Sequence, residues 1–241
     1  EKTGLYLTDG AYRGMSFLGL IFIFLSGFVL QKIASPKERL QHLFLKPQSQ
    51  RWQQLRLLDT CHGFYNGIEY IIPVIVLLML AGNEATLGTT QSVSELLSAF
   101  VIYSVGSFAG EKQSARLFGI WMVSILFASA LLAIYFSPLV ALFYFALLAF
   151  TSDFRWVSLI TIIYNTIDEE EHKTGESHYA YLLDREFFLN IGRCLGMSFF
   201  IALFLIAPTI ALRGTLFIAA SLQIFVYFLV RRLTQEHKVT S

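Results

Sequence analysis

Residues 60–81 read TCHGFYNGIEYIIPVIVLLMLA, an apolar run that carries one carboxylate, Glu69, in its middle. The run matches the roughly 20 residues that a helix needs to cross about 30 Å of hydrocarbon. Lipid offers the backbone no hydrogen-bond partner, so the segment must be helical. Steps of 3, 4 and 3 place four polar side chains on one helix face: Asp59, His62, Asn66 and Glu69. An ionisable group at membrane depth is costly and therefore predicts a functional site.

The rest of the chain extends this pattern to a polytopic membrane protein. Hydrophobic residues make up 55% of the 241 positions and charged residues 15%, against about 25% charged in soluble domains. Seven apolar spans are predicted: Gly14–Leu30, Thr60–Ala81, Val93–Gly110, Leu117–Phe136, Pro138–Tyr164, Phe187–Ile206 and Thr215–Val230. We therefore expect an all-α membrane protein with one helix in 1–30, a basic linker in 31–59 and a six-helix domain in 60–241.

The distribution of Lys and Arg predicts the orientation of these spans. With the N-terminus outside, thirteen of these residues fall in inside segments and three outside, at Lys2, Arg13 and Arg213. The positive-inside rule then places the C-terminus in the cytoplasm. The acidic run 168–171 also lies inside, where acidic residues contribute little to the rule. With a net charge of +1 and no basic cluster interleaved with aromatic residues, we expect no nucleic-acid partner.

The layout of one helix, a long basic loop and six further helices resembles part of a major facilitator superfamily transporter. Residues 110–116, GEKQSAR, sit where that family has a charged turn, although they lack its Asp-Arg pair and its second Gly. Residues 184–193, DREFFLNIGR, are similar to the start of helix eleven in some bacterial members. On this resemblance the chain contains helix six and the C-terminal six-helix half, and the first five helices would precede Glu1.

This resemblance implies a secondary transporter that works by alternating access and is coupled to protons. Such proteins bind substrate near the bilayer midplane between two structural halves. The expected partners are a small-molecule or lipophilic substrate, protons, membrane lipids and the N-terminal half of the same transporter. The expected location is a bacterial inner membrane, and no cofactor or metal is implied.

Glu69 is the residue to which we assign proton coupling, with Asn66 and His62 beside it in the substrate or proton pathway. Asp59 lies at the predicted helix boundary, where Asp is a favoured N-cap, so we expect it to cap the helix. Asp153 and Arg155 lie near the middle of the fifth span. They point about 200° apart on a helix, so each needs a partner on another helix.

Two interpretations of Asp153 and Arg155 stay open at this point. They form either a cavity wall or a structural ion pair between helices. The expected partner of Glu69 is Arg155 or a residue on helices outside this sequence. The sixth span carries a predicted gate or structural ion network at its cytoplasmic end: Asp184, Arg185, Glu186, Asn190 and Arg193. On the same helix the GxxxG pair of Gly192 and Gly196 predicts close approach to a neighbouring backbone.

A second class of function remains open beside the transporter. The chain could be a non-transporting membrane subunit or scaffold that binds partner proteins through its basic and acidic loops. An enzyme is not expected, because no zinc-protease, nucleophile-elbow or P-loop motif is present. The two cysteines, Cys61 and Cys194, fall inside predicted spans and do not indicate a disulfide framework.

Overall fold

The computed structural model describes residues 49–81, 84–106 and 111–240, together with residues 17, 18, 20–22, 24, 25 and 28. The chain divides into two compact units, Glu1–Arg39 and Leu40–Ser241. In the first unit the described residues are helical and exposed. The rest of the predicted span Gly14–Leu30, and the linker up to residue 48, lie outside the described residues.

The described residues of the second unit form seven helices joined by short turns, and they contain no strand. The all-α fold class is therefore confirmed for this part of the chain. The helices are α1 (Gln50–Glu69), α2 (Ile72–Ala81), α3 (Glu84–Gly106), α4 (Glu111–Ile134), α5 (Pro138–Thr174), α6 (His178–Ile206) and α7 (Pro208–Thr240).

Five helical stretches of the described chain are long and apolar enough to cross a membrane. They are Gln50–Leu80, Gln113–Ile134, Pro138–Thr174, His178–Ile206 and Pro208–Gln235. Six of the seven predicted spans lie wholly or largely in the described second unit, and their number is corrected there to five. Residues 93–106 of the predicted span Val93–Gly110 lie in α3, which is not among them, and residues 107–110 lie outside the described residues. Ser92, Ser94, Glu95 and Ser98 dilute the apolar character of that helix.

α1 begins ten residues before the predicted span, at Gln50. The Ser49 hydroxyl caps it by accepting a hydrogen bond from the Trp52 amide at 3.0 Å. The polar residues after Ser49 are good helix formers, and Trp52, Leu55 and Leu58 are buried at helical spacing. Asp59 therefore lies in the middle of a helix, and the prediction that it caps one is wrong.

A break in the helical hydrogen bonding separates α1 from α2 directly after Glu69. Pro73 has no N–H to donate to the Glu69 carbonyl, which a continuous helix would require. The Ile71 amide instead donates to the Ile68 carbonyl at 3.3 Å, one residue short of the α-helical pattern. Glu69 thus ends α1 inside the span Gln50–Leu80, beside a point where the backbone can bend.

α1 and α6 make the most extensive helix contact in the described chain, running parallel to each other. A Cβ atom added at Gly63 would overlap a backbone carbonyl oxygen of α6, and one added at Gly192 would overlap a carbonyl oxygen of α1. Gly67 and Gly196 are equally tight one turn further on. The close approach predicted from Gly192 and Gly196 is confirmed, and its counterpart on α1 is a second GxxxG pair.

Candidate functional site

Glu69 and Arg155 form a buried ion pair between α1 and α5. Arg155 Nη1 lies 2.6 Å from Glu69 Oε2, and the side chains are only 10% and 7% exposed. The Tyr65 hydroxyl donates a hydrogen bond to Glu69 Oε1 at 3.1 Å. Arg155 also reaches Asn66 Oδ1 at 3.5 Å. The expected pairing of Glu69 with Arg155 is confirmed, as the high cost of an unpaired buried charge requires.

The guanidinium of Arg155 packs against two buried aromatic rings. It lies 4.9 Å from the ring centroid of Trp121 and 5.6 Å from that of Tyr65. The two rings pack edge to face with centroids 5.3 Å apart. A desolvated cation–π contact contributes about 2 kcal/mol. Arg155 is therefore oriented by one carboxylate and two rings.

A cavity of about 260 Å³ adjoins this pair, with Glu69 and Arg155 in its wall. Side chains of α2, α3 and α5 complete the lining. The polar members from α3 and α5 are Gln91, Ser94, Glu95, Ser98 and Ser152. Small-molecule pockets measure about 300–1,000 Å³, so this space lies just below that range and has room only for a small solute. The lining also explains why α3 is more polar than its neighbours.

Asp153 points to a different helix from Arg155, as the spacing predicted. It accepts a hydrogen bond from the Ser98 hydroxyl of α3 at 2.8 Å. Ser98 also lines the cavity, so the Asp153 contact positions one part of the cavity wall. The signal for this partner was present in the sequence, because Ser94 and Ser98 are four residues apart and share one face of α3.

His62 is buried and faces α7 rather than α5. Its Nδ1 lies 3.4 Å from Gln223 Oε1, and its ring is 6.4 Å from that of Trp121. The four members of the polar stripe predicted on α1 therefore have different neighbours, and Asp59 pairs with Arg185 of α6. Glu69 faces the cavity, Asn66 lies beside Arg155, and His62 contacts α7.

Asp184 is the centre of a second buried ion pair, at the start of α6. Arg56 of α1 donates to both of its carboxylate oxygens at 2.7 Å, and Trp52 Nε1 donates at 2.9 Å. Asp184 is only 1% exposed. Neither Arg56 nor Trp52 was singled out from the sequence. These hydrogen bonds link α6 to α1 next to the close backbone contact at Gly63 and Gly192.

The other members of the predicted gate network divide between two environments. Arg185 reaches Asp59 of α1 at 3.4 Å and Glu186 at 2.9 Å. Asn190 donates to the Glu186 carbonyl at 2.7 Å, and Arg193 donates to Asn190 Oδ1 at 3.2 Å. Those last two contacts stay on the exposed face of α6. The structure thus connects Asp184 and Arg185 to α1 and leaves the remaining three on their own helix.

One group in the described part of the chain could hold a metal ion. Asp168, Glu171 and His178 bring one ligand atom each to within 4.8 Å of one another. They meet where α5 turns into α6 through Gly175, whose φ is 71°. His178 Nδ1 already lies 3.1 Å from Glu171 and 3.6 Å from Asp168. These contacts explain why the three side chains lie together, because they hold the turn between α5 and α6 in place.

Comparison with known proteins provides no relative from which a function can be transferred. No protein-family model matches the chain, and no curated protein or solved structure matches it either. The functional assignment therefore depends on the geometry of the Glu69–Arg155 pair and the cavity beside it.

Proposed function

We propose that this chain belongs to a proton-coupled secondary transporter that moves a small solute by alternating access. The observation that carries the proposal is the buried Glu69–Arg155 pair in the wall of a solute-sized cavity. An ionisable pair inside a membrane span is expensive, and it is typical of substrate and proton pathways. The stretch Gln50–Leu80 counts as one span, so α3 would be the sixth long helix of the second unit.

A half-transporter of major facilitator superfamily type is the architecture that this arrangement favours. Such a half contains six helices with its substrate site near the midplane. α3 has 23 residues and would measure about 35 Å, enough to cross a bilayer. Its polar face would then line the transport path rather than contact lipid.

The chemistry of the pair suggests how a proton and a solute exchange. When Glu69 is charged, it pairs with Arg155 and neutralises it. The cavity then offers a solute no positive charge to bind. When Glu69 takes a proton, Arg155 keeps its charge, because a guanidinium is not deprotonated in proteins. Arg155 then binds an anionic group of a solute in the cavity. The helix break before Pro73 allows α2 to move relative to α1 in the same step.

Transport by the protein expressed from its complete reading frame tests this proposal. Proteoliposomes under an imposed proton gradient are incubated with a defined mixture of small metabolites, and uptake is measured by mass spectrometry. We expect a solute with an anionic group to accumulate. Glu69→Gln should abolish accumulation driven by the gradient while solute exchange at equal pH continues. Arg155→Gln should abolish both, because it removes the binding charge.

Glu186→Gln is the matched control, since it neutralises an exposed carboxylate on α6 that lies away from the cavity. It should transport as the wild type does. Gradient-driven accumulation by Glu69→Gln at the wild-type level would refute the coupling role. A wild-type protein that accumulates no solute, and that purifies with a stoichiometric partner protein, would support the membrane-subunit alternative instead.

A further inference from the structure

A groove of about 920 Å³ lies between α4 and α7, with a lining separate from that of the cavity beside Glu69. Arg116 of α4 and Arg231 of α7 contribute its charged groups, and both are exposed. Tyr227 forms the floor beneath Gly119. A Cβ atom at position 119 would come within 3.1 Å of the Tyr227 ring, so a glycine is what brings the two helices this close.

The two arginines have no protein partner in the described structure. Neither Arg116 nor Arg231 makes an ion pair or a hydrogen bond there. Arg116 lies near the start of the span Gln113–Ile134, and Arg231 lies near the end of the span Pro208–Gln235. Both therefore sit at the same edge of the bilayer, the one that the excess of Lys and Arg assigns to the cytoplasm.

The remainder of the groove is mainly apolar, with polar groups only from Ser124 and Tyr227, and it runs toward the membrane interior. Ile120, Met122 and Val123 line it, and Ile120 and Val123 are 42% and 60% exposed. From Arg116 to Ser124 the helix rises about 12 Å. That distance is most of the ~15 Å hydrocarbon thickness of one leaflet. The groove thus presents two cations at headgroup depth and an apolar channel at acyl-chain depth.

We propose that this groove binds an anionic phospholipid of the cytoplasmic leaflet. The headgroup phosphate lies between the guanidinium groups of Arg116 and Arg231, and one acyl chain follows the groove past Ile120 and Val123. The surface faces the bilayer, so lipid fills the groove in any case, and the unpaired charges select an anionic one. Basic pockets between transmembrane helices on the cytoplasmic side bind anionic headgroups in this way. The bound lipid would link α4 to α7.

Lipid titration of the detergent-purified protein, followed by native mass spectrometry, tests the site. The probes are phosphatidylglycerol and phosphatidylcholine with identical acyl chains. The two arginines attract an anionic headgroup more strongly than a zwitterionic one, so the first phosphatidylglycerol should bind about tenfold or more tightly than phosphatidylcholine. Arg116→Gln combined with Arg231→Gln should remove this preference. Neither side chain has a partner to lose, so the double variant should fold.

Two further variants separate the groove from general surface charge. Arg213→Gln removes a cation that stacks on Phe136 at 5.1 Å, and it should keep the wild-type preference. Val123→Trp fills the apolar channel and should weaken binding of both lipids at the first site. The proposal is overturned if the wild type binds both lipids equally, or if the double variant keeps the full preference for phosphatidylglycerol.

Discussion

Two of the buried arginine–carboxylate pairs that α1 makes within the described residues, Arg56–Asp184 and Arg155–Glu69, differ in what surrounds them. Asp184 accepts three hydrogen bonds from Arg56 and Trp52 between two helices whose backbones are in contact. Glu69 accepts from Arg155 and Tyr65 at the end of a helix, in the wall of a cavity. The same type of ion pair holds two helices together at Asp184 and forms part of a candidate functional site at Glu69.

The space around each pair decides which role it can take. Separating Arg56 from Asp184 leaves a carboxylate that is only 1% exposed, so opening that pair is costly. Separating Arg155 from Glu69 exposes both charges to a cavity that a solute can fill, so that pair can open. Residue type alone could not distinguish the two, because each consists of one arginine and one carboxylate.

The largest effect on stability is expected from Asp184→Ala. It removes the carboxylate to which Arg56 and the Trp52 indole N–H both donate, and removing one partner of a buried ion pair costs about 3–5 kcal/mol. Unfolding in mixed detergent micelles measures the loss. Glu186→Ala is the control, two residues further along the same helix but exposed, and it should stay within about 0.5 kcal/mol. Equal losses of unfolding free energy in the two variants would contradict the conclusion that Asp184 holds α6 against α1.

Gly192→Ala should produce the next largest loss of stability. The added methyl group overlaps a backbone oxygen of α1, which cannot move aside as a flexible side chain can. Overpacking of this kind costs about 1–3 kcal/mol. Gly88→Ala in α3 makes the same chemical change where nothing lies within 4 Å, and it should be neutral or stabilising. The same unfolding assay checks both variants, and a neutral Gly192→Ala would rule out tight backbone contact.

The sequence made part of this arrangement predictable. Gly192 and Gly196 are four residues apart in an apolar helix, which indicates close packing without further information. Arg155 was one of the two kinds of partner expected for Glu69, because buried charges require partners. The Asp184–Arg56 contact spans 128 positions, and no local pattern in a single sequence connects residues so far apart.

The start of α1 was misjudged for a different physical reason. The segment from Gln50 to Asp59 is polar, so hydropathy assigned it to the linker. Its apolar residues nevertheless recur at helical spacing, and Ser49 is a good N-cap. Both signals were present, but a search for membrane spans gives weight to total hydrophobicity and little to periodicity.

Glu69→Gln should destabilise the protein less than Asp184→Asn does. The glutamine amide can still accept from Arg155, and Arg155 keeps its contacts with Trp121 and Asn66. Loss of a charge-assisted hydrogen bond removes about 1.5–3 kcal/mol, and access to the cavity offsets part of it. Glu69→Gln and Asp184→Asn are both isosteric, so the difference between their unfolding free energies reports how the surroundings of the two pairs differ. A greater loss for Glu69→Gln would show that its pair is the structural one.

The smallest effect is expected from Asn190→Ala, although Asn190 is only six residues from Asp184 in the same helix. Its side chain is exposed, and within the described residues its hydrogen bonds are to Glu186 and Arg193 of the same helix. Stability should change by no more than about 0.5 kcal/mol. A loss as large as that of Asp184→Ala would mean that another part of the protein packs on this face. The second half of the proposed transporter would pack in this way, and this face of α6 would then be its contact surface.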